Sequence, residues 1–422
     1  METLRNASVP SALMGGPGGG IERLDITIAD GKIASLSPHS PGPGRDLDGG
    51  LVLPAFVDVH THLDKGNIWP RKPNPDGTWM GALESVLEDR EAKWAREDVA
   101  RRMDFSLRCA YAHGTAAIRT HLDSAPPQHE ITWEVFREAR ERWAGRIELQ
   151  AVSIIGADDC LDRASLDSVA RVVQRAEGIL GGAIAVHPEA RKAVFNAIDK
   201  AGDLGLAIDL HIDETLDPEA SALRHFADAV IETGFKGAAV AGHCCVLSVQ
   251  DEKTARSTIE RVAEAGIAVV SLPMCNLYLQ DRDPSGRKTP ARRGVTLVRE
   301  LHAAGVPVAI GSDNTRDPFY AYGDLDGLEV LREGARIIHF DHPQDQAWQW
   351  SRMVNAGAAK IAGFSYRGEI VAGAPADLVA FRARNWTELL SRPQSDRAVY
   401  RSGVPIDGAL PDYRELDDLM EV

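Results

Sequence analysis

No run of eighteen or more apolar residues occurs in this chain of 422, so the sequence holds no candidate membrane-spanning helix. Met1 to Asn6 lack the basic patch and apolar stretch of a secretory leader, which sets the expectation of a protein that is not exported. Cysteine is scarce, five residues without repeated spacing, and the adjacent Cys244 and Cys245 suit a disulfide poorly; a reducing cytoplasm is the expected setting. Cations are too few to hold a nucleic-acid backbone: 47 Lys and Arg stand against 62 Asp and Glu, a formal net charge of −15. A nucleobase-like substrate would therefore be a free base, not a polymer. Two hydrolytic signatures are missing as well. There is no G-x-S-x-G elbow. His187-Pro188-Glu189 carries the first half of the polynucleotide zinc-deaminase signature, but no P-C-x-x-C follows it.

What is present is ordered. Leu24–Ile28 alternates, Asp30-Gly31 is a hairpin signal, and Lys32–Leu36 resumes the alternation. Gly15 to Gly20 reads as a flexible loop; with no strand before it and no helix after it, it is no phosphate cradle. After Gly49-Gly50, short apolar runs alternate with longer charged stretches of helical spacing, such as Arg96–His113 and Ser257–Ala265. The runs are Leu53–Asp58, Thr115–Arg119, Ile147–Ile154, Gly182–Val186, Leu206–Leu210, Ala238–Ala241, Ile267–Leu272 and Val306–Ile310. Strands of a parallel sheet buried on both faces read this way, and eight of them predict an α/β fold with a (β/α)8 TIM barrel over residues 54–367. From Gly368 short alternating strands return, among them Asp377–Phe381 and Arg397–Tyr400. Residues 1–53 and 368–422 are each too short for a core of their own, so together they predict one small discontinuous β-sandwich domain.

Polar residues fall where such a barrel keeps its active site, at the C-terminal ends of the strands. His60 and His62 close the first run, and at i and i+2 of an extended strand they face one side. His211 closes Leu206–Leu210, His243 closes Ala238–Gly242, and Asp313 follows Val306–Gly311. A single His-x-His pair is equally a core feature; recurrence of such residues at successive strand ends is what points to a metal. Glu214, three residues after His211, reads either as a solvated carboxylate at a helix start or as an acid–base group.

Several segments together resemble the amidohydrolase superfamily and its cytosine deaminase branch. They are Phe56-Val57-Asp58-Val59-His60-Thr61-His62-Leu63-Asp64, Arg119-Thr120-His121-Leu122-Asp123 and His211-Ile212-Asp213-Glu214. Others are Asn276–Arg282, Arg292–Thr296, and Asp313 with Asp317-Pro318-Phe319-Tyr320. The resemblance implies one divalent ion, Zn²⁺ or Fe²⁺, on His60, His62, His211 and Asp313. His187 follows the apolar strand Ala183–Val186 where a bridging carbamylated lysine would be needed for two ions. The ion would lower the pKa of water to about 7, and the resulting hydroxide would attack a ring carbon of a free cyclic amidine or nucleobase-like heterocycle, releasing ammonia. In that scheme Asp313 accepts the water's proton, Glu214 shuttles it, and His243 polarises the attacking or developing oxygen. The resemblance gives His121 no ligand role, and it reads as structural or substrate-adjacent. The family's habit also implies a homo-oligomer.

The departures concern substrate. Gly156 stands where cytosine deaminases carry a glutamine that reads the pyrimidine's amide edge, and Asn314 replaces a frequent carboxylate. Lys65 and the string Ser312–Asp317 resemble the N-isopropylammelide hydrolases, so hydrolysis of N-substituted amino-heterocycles of the triazine type stays open. Lys65, Gly156, Gln280, Asn314, Asp317 and Phe319 are the candidate substrate-binding residues; Lys65 reads equally as a surface residue, and Gln280 and Arg282 as loop-ordering residues. A non-catalytic barrel that only binds a ligand is disfavoured, because every inferred catalytic position carries a competent side chain.

Overall fold

The computed structural model describes residues 1–16, 19–340, 347–393 and 396–421, with the backbone alone at 347 and 348. Five short strands open the chain: β1 (Glu2–Pro10), β2 (Ile21–Ala29), β3 (Lys32–Pro38), β4 (Arg45–Asp46) and β5 (Val52–Pro54). The first four form one sheet in the order β3-β2-β1-β4. The β2–β3 connection is the expected Asp-Gly hairpin, with φ of 51° at Asp30 and 74° at Gly31, the left-handed pair that a type I′ turn needs. Of the Gly15–Gly20 loop, residues 17 and 18 lie outside the described residues.

Eight strands follow in parallel: β6 (Phe56–Thr61), β7 (Thr115–Asp123), β8 (Glu148–Ile154), β9 (Ala183–Ile184), β10 (Ile208–Ile212), β11 (Ala239–His243), β12 (Ala268–Ser271) and β13 (Val308–Ile310). They lie in two sheets, β6-β7-β8 and β13-β12-β11-β10-β9. Parallel bridges join Thr61 to Asp313 and Val152 to Ile179 across the two gaps between those sheets. Helices alternate with the strands, beginning with α1 (Trp79–Lys93), α2 (Arg96–His113) and α3 (Gln128–Trp143). This is a TIM-barrel-type α/β fold. The predicted helix Arg96–His113 ends at Gly114, whose φ of 100° takes the left-handed cap that any Cβ would strain.

One expected strand is divided. Leu53–Asp58 reads as a single run, yet Val52–Pro54 pairs antiparallel with β14 (Leu378–Ala380) while Phe56–Thr61 pairs parallel with β7. Pro54 offers no N–H to a ladder, and Ala55 donates instead to Asp377 O at 2.9 Å, so the chain changes sheet there. Strands β15 (Ala398–Arg401) and β16 (Val404–Pro405) extend that second sheet. Head and tail share an apolar cluster that includes Leu4, Val9, Ile26, Val52, Ile370, Leu378 and Tyr400. Among the described residues no helix is long and apolar enough to cross a membrane.

Candidate metal centre

The strand ends bring His60, His62, His211, His243 and Asp313 together. Parallel register sets Ile212 beside His243 and Thr61 beside Asp313, so side chains far apart in sequence meet on one rim. Asp313 N donates to His60 O at 2.9 Å, and Thr61 Oγ1 donates to Asp313 O at 2.7 Å. His243 and Asp313 have φ of 69° and 64°, conformations that cost a residue with a Cβ of order 1–3 kcal/mol and are held by the surrounding ladder. Gly242 leaves room for the His60 ring: a Cβ at this position would lie 2.8 Å from His60 Cε1, and the imidazole would have to shift.

Four atoms converge. His60 Nε2 lies 3.1 Å from His211 Nε2, which lies 3.2 Å from His62 Nε2; Asp313 Oδ1 is 3.3 Å from His62 Nε2 and 3.7 Å from His60 Nε2. Ligands about 2.1 Å from a tetrahedral ion stand about 3.4 Å apart, which these separations bracket. All four residues are at most 6 % exposed, so water does not satisfy them. Burial holds the three imidazoles well below the ordinary histidine pKa, leaving neutral rings with lone pairs to give. Burial, and then the charge of Glu214, pushes the Asp313 carboxyl well above its usual range, and both its oxygens lack a hydrogen-bond partner among the described residues. A buried carboxylate beside neutral imidazoles is a donor set that fits a divalent cation.

Beside this cluster lie Glu214 and His243. His243 Nδ1 is 3.4 Å from Glu214 Oε1 and 3.0 Å from Asn276 Nδ2, so the amide donates to Nδ1 and leaves the proton on Nε2. Burial lowers the His243 pKa, with Glu214 acting in the opposite direction. Asn276 Nδ2 also reaches Glu214 Oε1 at 3.3 Å, and Trp79 Nε1 donates to Glu214 Oε2 at 2.9 Å. In the sequence Asn276 is only the first residue of a family-like segment, with no role of its own, and no pattern marks Trp79.

Most of the candidate substrate residues gather above these groups. Lys65 is buried with Nζ 4.9 Å from the Phe319 ring centre. Burial disfavours its charge, but Asp123, Asp317 and Asp64 more than offset that, so its pKa lies above the ordinary lysine value. Asp317, raised by burial to about 6, accepts from Asn314 Nδ2 at 2.8 Å and from Phe319 N at 2.9 Å. Gln280 Nε2 reaches the Glu214 carbonyl at 3.4 Å. Gly156 is the exposed N-cap of a short helix, with its N–H on Asp159 Oδ2. His121 lies within the cluster, its ring 3.9 Å from that of His60, and neither of its nitrogens has a partner among the described residues.

Parallel strands that carry three buried histidines and a buried aspartate at their C-terminal ends give a TIM-barrel-type fold with a candidate metal site. Residues 171–407 match the model of the amidohydrolase family, and the chain belongs to that family. It is 53 % identical over 425 residues to a pterin deaminase of Rhizobium rhizogenes, covering 99 % of this chain and 96 % of that one. A 5-methylcytosine deaminase of Klebsiella pneumoniae liganded with 5-fluorocytosine superposes with a TM-score of 0.82 at 23 % identity, covering 97 % and 98 % of the two chains. An N-isopropylammelide isopropylaminohydrolase of Burkholderia multivorans superposes with a TM-score of 0.76 at 27 % identity, covering 97 % and 100 %.

Proposed function

We propose that this protein hydrolytically deaminates a free amino-heterocycle, with a pterin as the leading substrate class. One divalent cation, Zn²⁺ or Fe²⁺, would be held by His60, His62, His211 and Asp313. The observation that carries this reading is the convergence of those four atoms directly beside Glu214 and His243, which Asn276 Nδ2 bridges. The 53 % identity to a pterin deaminase supports the substrate class.

The bound cation would supply Lewis acidity, lowering the pKa of water to about 7. Asp313 then stands where it can take a proton from water, and Glu214 where it can pass one to a ring nitrogen and next to the leaving amine. His243 presents Nε2–H to the oxygen that gains charge as the carbon becomes tetrahedral. The carbon–nitrogen bond breaks, ammonia leaves, and a ring carbonyl replaces the amidine. Lys65 and Phe319 offer an ammonium and an aromatic edge to the heterocycle, with Gln280, Asn314 and Asp317 ordering the wall around them. Gly156 would act through the space it leaves and not through contact.

The likeness to an N-isopropylammelide isopropylaminohydrolase favours one second reading, release of an alkylamine from an N-substituted ring. The two are separated by assaying the protein, stripped and then reloaded with Zn²⁺ or Fe²⁺, against pterin, cytosine, isoguanine, creatinine, and aminotriazines with and without an N-alkyl group. Ammonia from pterin that disappears on chelation and returns with metal is the expected result. Alkylamine without ammonia would favour the second reading, and no amine from any compound would sink both.

The same reading takes 54–367 as a closed catalytic barrel and 1–53 with 368–422 as one β-sandwich domain. It places the protein in the cytoplasm, where its five buried free cysteines would stay reduced, and as a homo-oligomer.

A further inference from the structure

Glu214 is held by two neutral donors from two separate elements. Asn276, on the helix Pro273–Leu279, takes Oε1, and Trp79, the first residue of α1, takes Oε2. A guanidinium or ammonium in either place would stabilise the ionised form and resist protonation. Neutral N–H donors instead aim the carboxylate while leaving a lone pair on each oxygen free for a proton.

The indole is itself set rigidly. Thr78 caps α1 by accepting from Gly81 N at 3.0 Å, and Asp76 Oδ1 accepts both Thr78 N and Thr78 Oγ1 at 2.8 Å. Asn74 Nδ2 ties this turn to Thr78 O at 2.9 Å and to Pro318 O at 3.1 Å, one residue before Phe319. The Trp79 ring then meets the Phe319 ring edge-on, with centres 6.0 Å apart. Loop, aromatic wall and acid–base carboxylate thus form one connected unit.

We propose that Trp79 is a positioning residue for Glu214. Its indole N–H fixes the carboxylate's orientation toward the ring nitrogen that is protonated, and it does so from the loop that also builds the aromatic wall. This inference rests on Glu214 being the proton shuttle of the deaminase reading. A purely structural tryptophan would need its ring only, so Trp79→Phe, which keeps a ring and removes the donor, distinguishes the two.

The variant should lower kcat on pterin about 10-fold to 100-fold, the range of a hydrogen bond to a charged group, with KM changed less than about 3-fold and metal content unaltered. In ¹⁵N-tryptophan-labelled protein, the indole N–H resonance missing from Trp79→Phe should move in Glu214→Ala. A kcat within about 2-fold of the parent, a loss confined to KM, loss of metal, or a resonance that Glu214→Ala leaves in place would each overturn the proposal. A parent enzyme inactive on every heterocycle would remove the deaminase reading, and with it the positioning role of Trp79, while an unmoved resonance in an active enzyme would remove the Trp79 role alone.

Discussion

Asn276 Nδ2 lies 3.0 Å from His243 Nδ1, and this contact sets the imidazole tautomer, because an amide N–H can only donate. His243 Nε2, which has no partner among the described residues, is thereby left carrying the proton. Asn276→Leu removes the contact and frees the ring to adopt the other tautomer. We expect kcat to fall about 10-fold to 1,000-fold, comparable to loss of one donor at a developing oxyanion, with metal content unchanged. Steady-state ammonia release together with metal analysis checks this; retained kcat would show that the tautomer is set elsewhere.

Lys65 sits among Asp64, Asp123 and Asp317, whose combined charge keeps its ammonium protonated despite burial. Lys65→Met should reduce kcat/KM about 100-fold or more, since a polar edge of the substrate would then meet an apolar methyl group. Asp64, raised mainly by burial to about 7, would lose one of the charges that hold it down. The kinetic loss should therefore come with an altered pH profile, read from kcat/KM between about pH 5 and 9.

Asp98 anchors a buried network that reaches the backbone beside Lys65, because its partner Arg102 also donates to the Asp64 and Gly66 carbonyls. Its carboxylate accepts from Arg71 Nη1 at 2.5 Å and from Arg102 Nε at 2.9 Å. Burial works to raise its pKa, yet Arg102 and Arg71 hold it below the ordinary aspartate value. A group depressed in the folded state stabilises the fold above its unfolded pKa, about 3.9, and loses that contribution as the pH falls through the folded value. Asp98→Asn should therefore cost about 3–5 kcal/mol at pH 7, with the difference from the parent shrinking below about pH 4. Thermal unfolding followed across that range tests the sign.

The meeting of the strand-end histidines and Asp313 was legible because two rules of extended backbone, alternation along a strand and apolar runs in a buried parallel sheet, leave their mark on neighbouring residues. Those rules placed His60, His62, His211 and Asp313 on one rim without any knowledge of register. The division of Leu53–Asp58 was not legible, because Pro54 lies inside a continuous apolar run and the change of partner depends on a strand some 320 residues further on. Trp79 was hidden for a similar reason: its partner lies 135 positions away, and no local period records a bond made by one indole N–H.

The bridge between Thr61 and Asp313 has a consequence for biosynthesis. With the proposed ligand set, the first and last of the eight parallel strands each contribute to one ion. A chain emerging residue by residue presents His60 and His62 early, but it lacks a complete coordination sphere until some 250 further residues have been made and β13 has docked. Tight retention of the ion would thus mark a finished barrel, so that cofactor loading doubles as a checkpoint on folding.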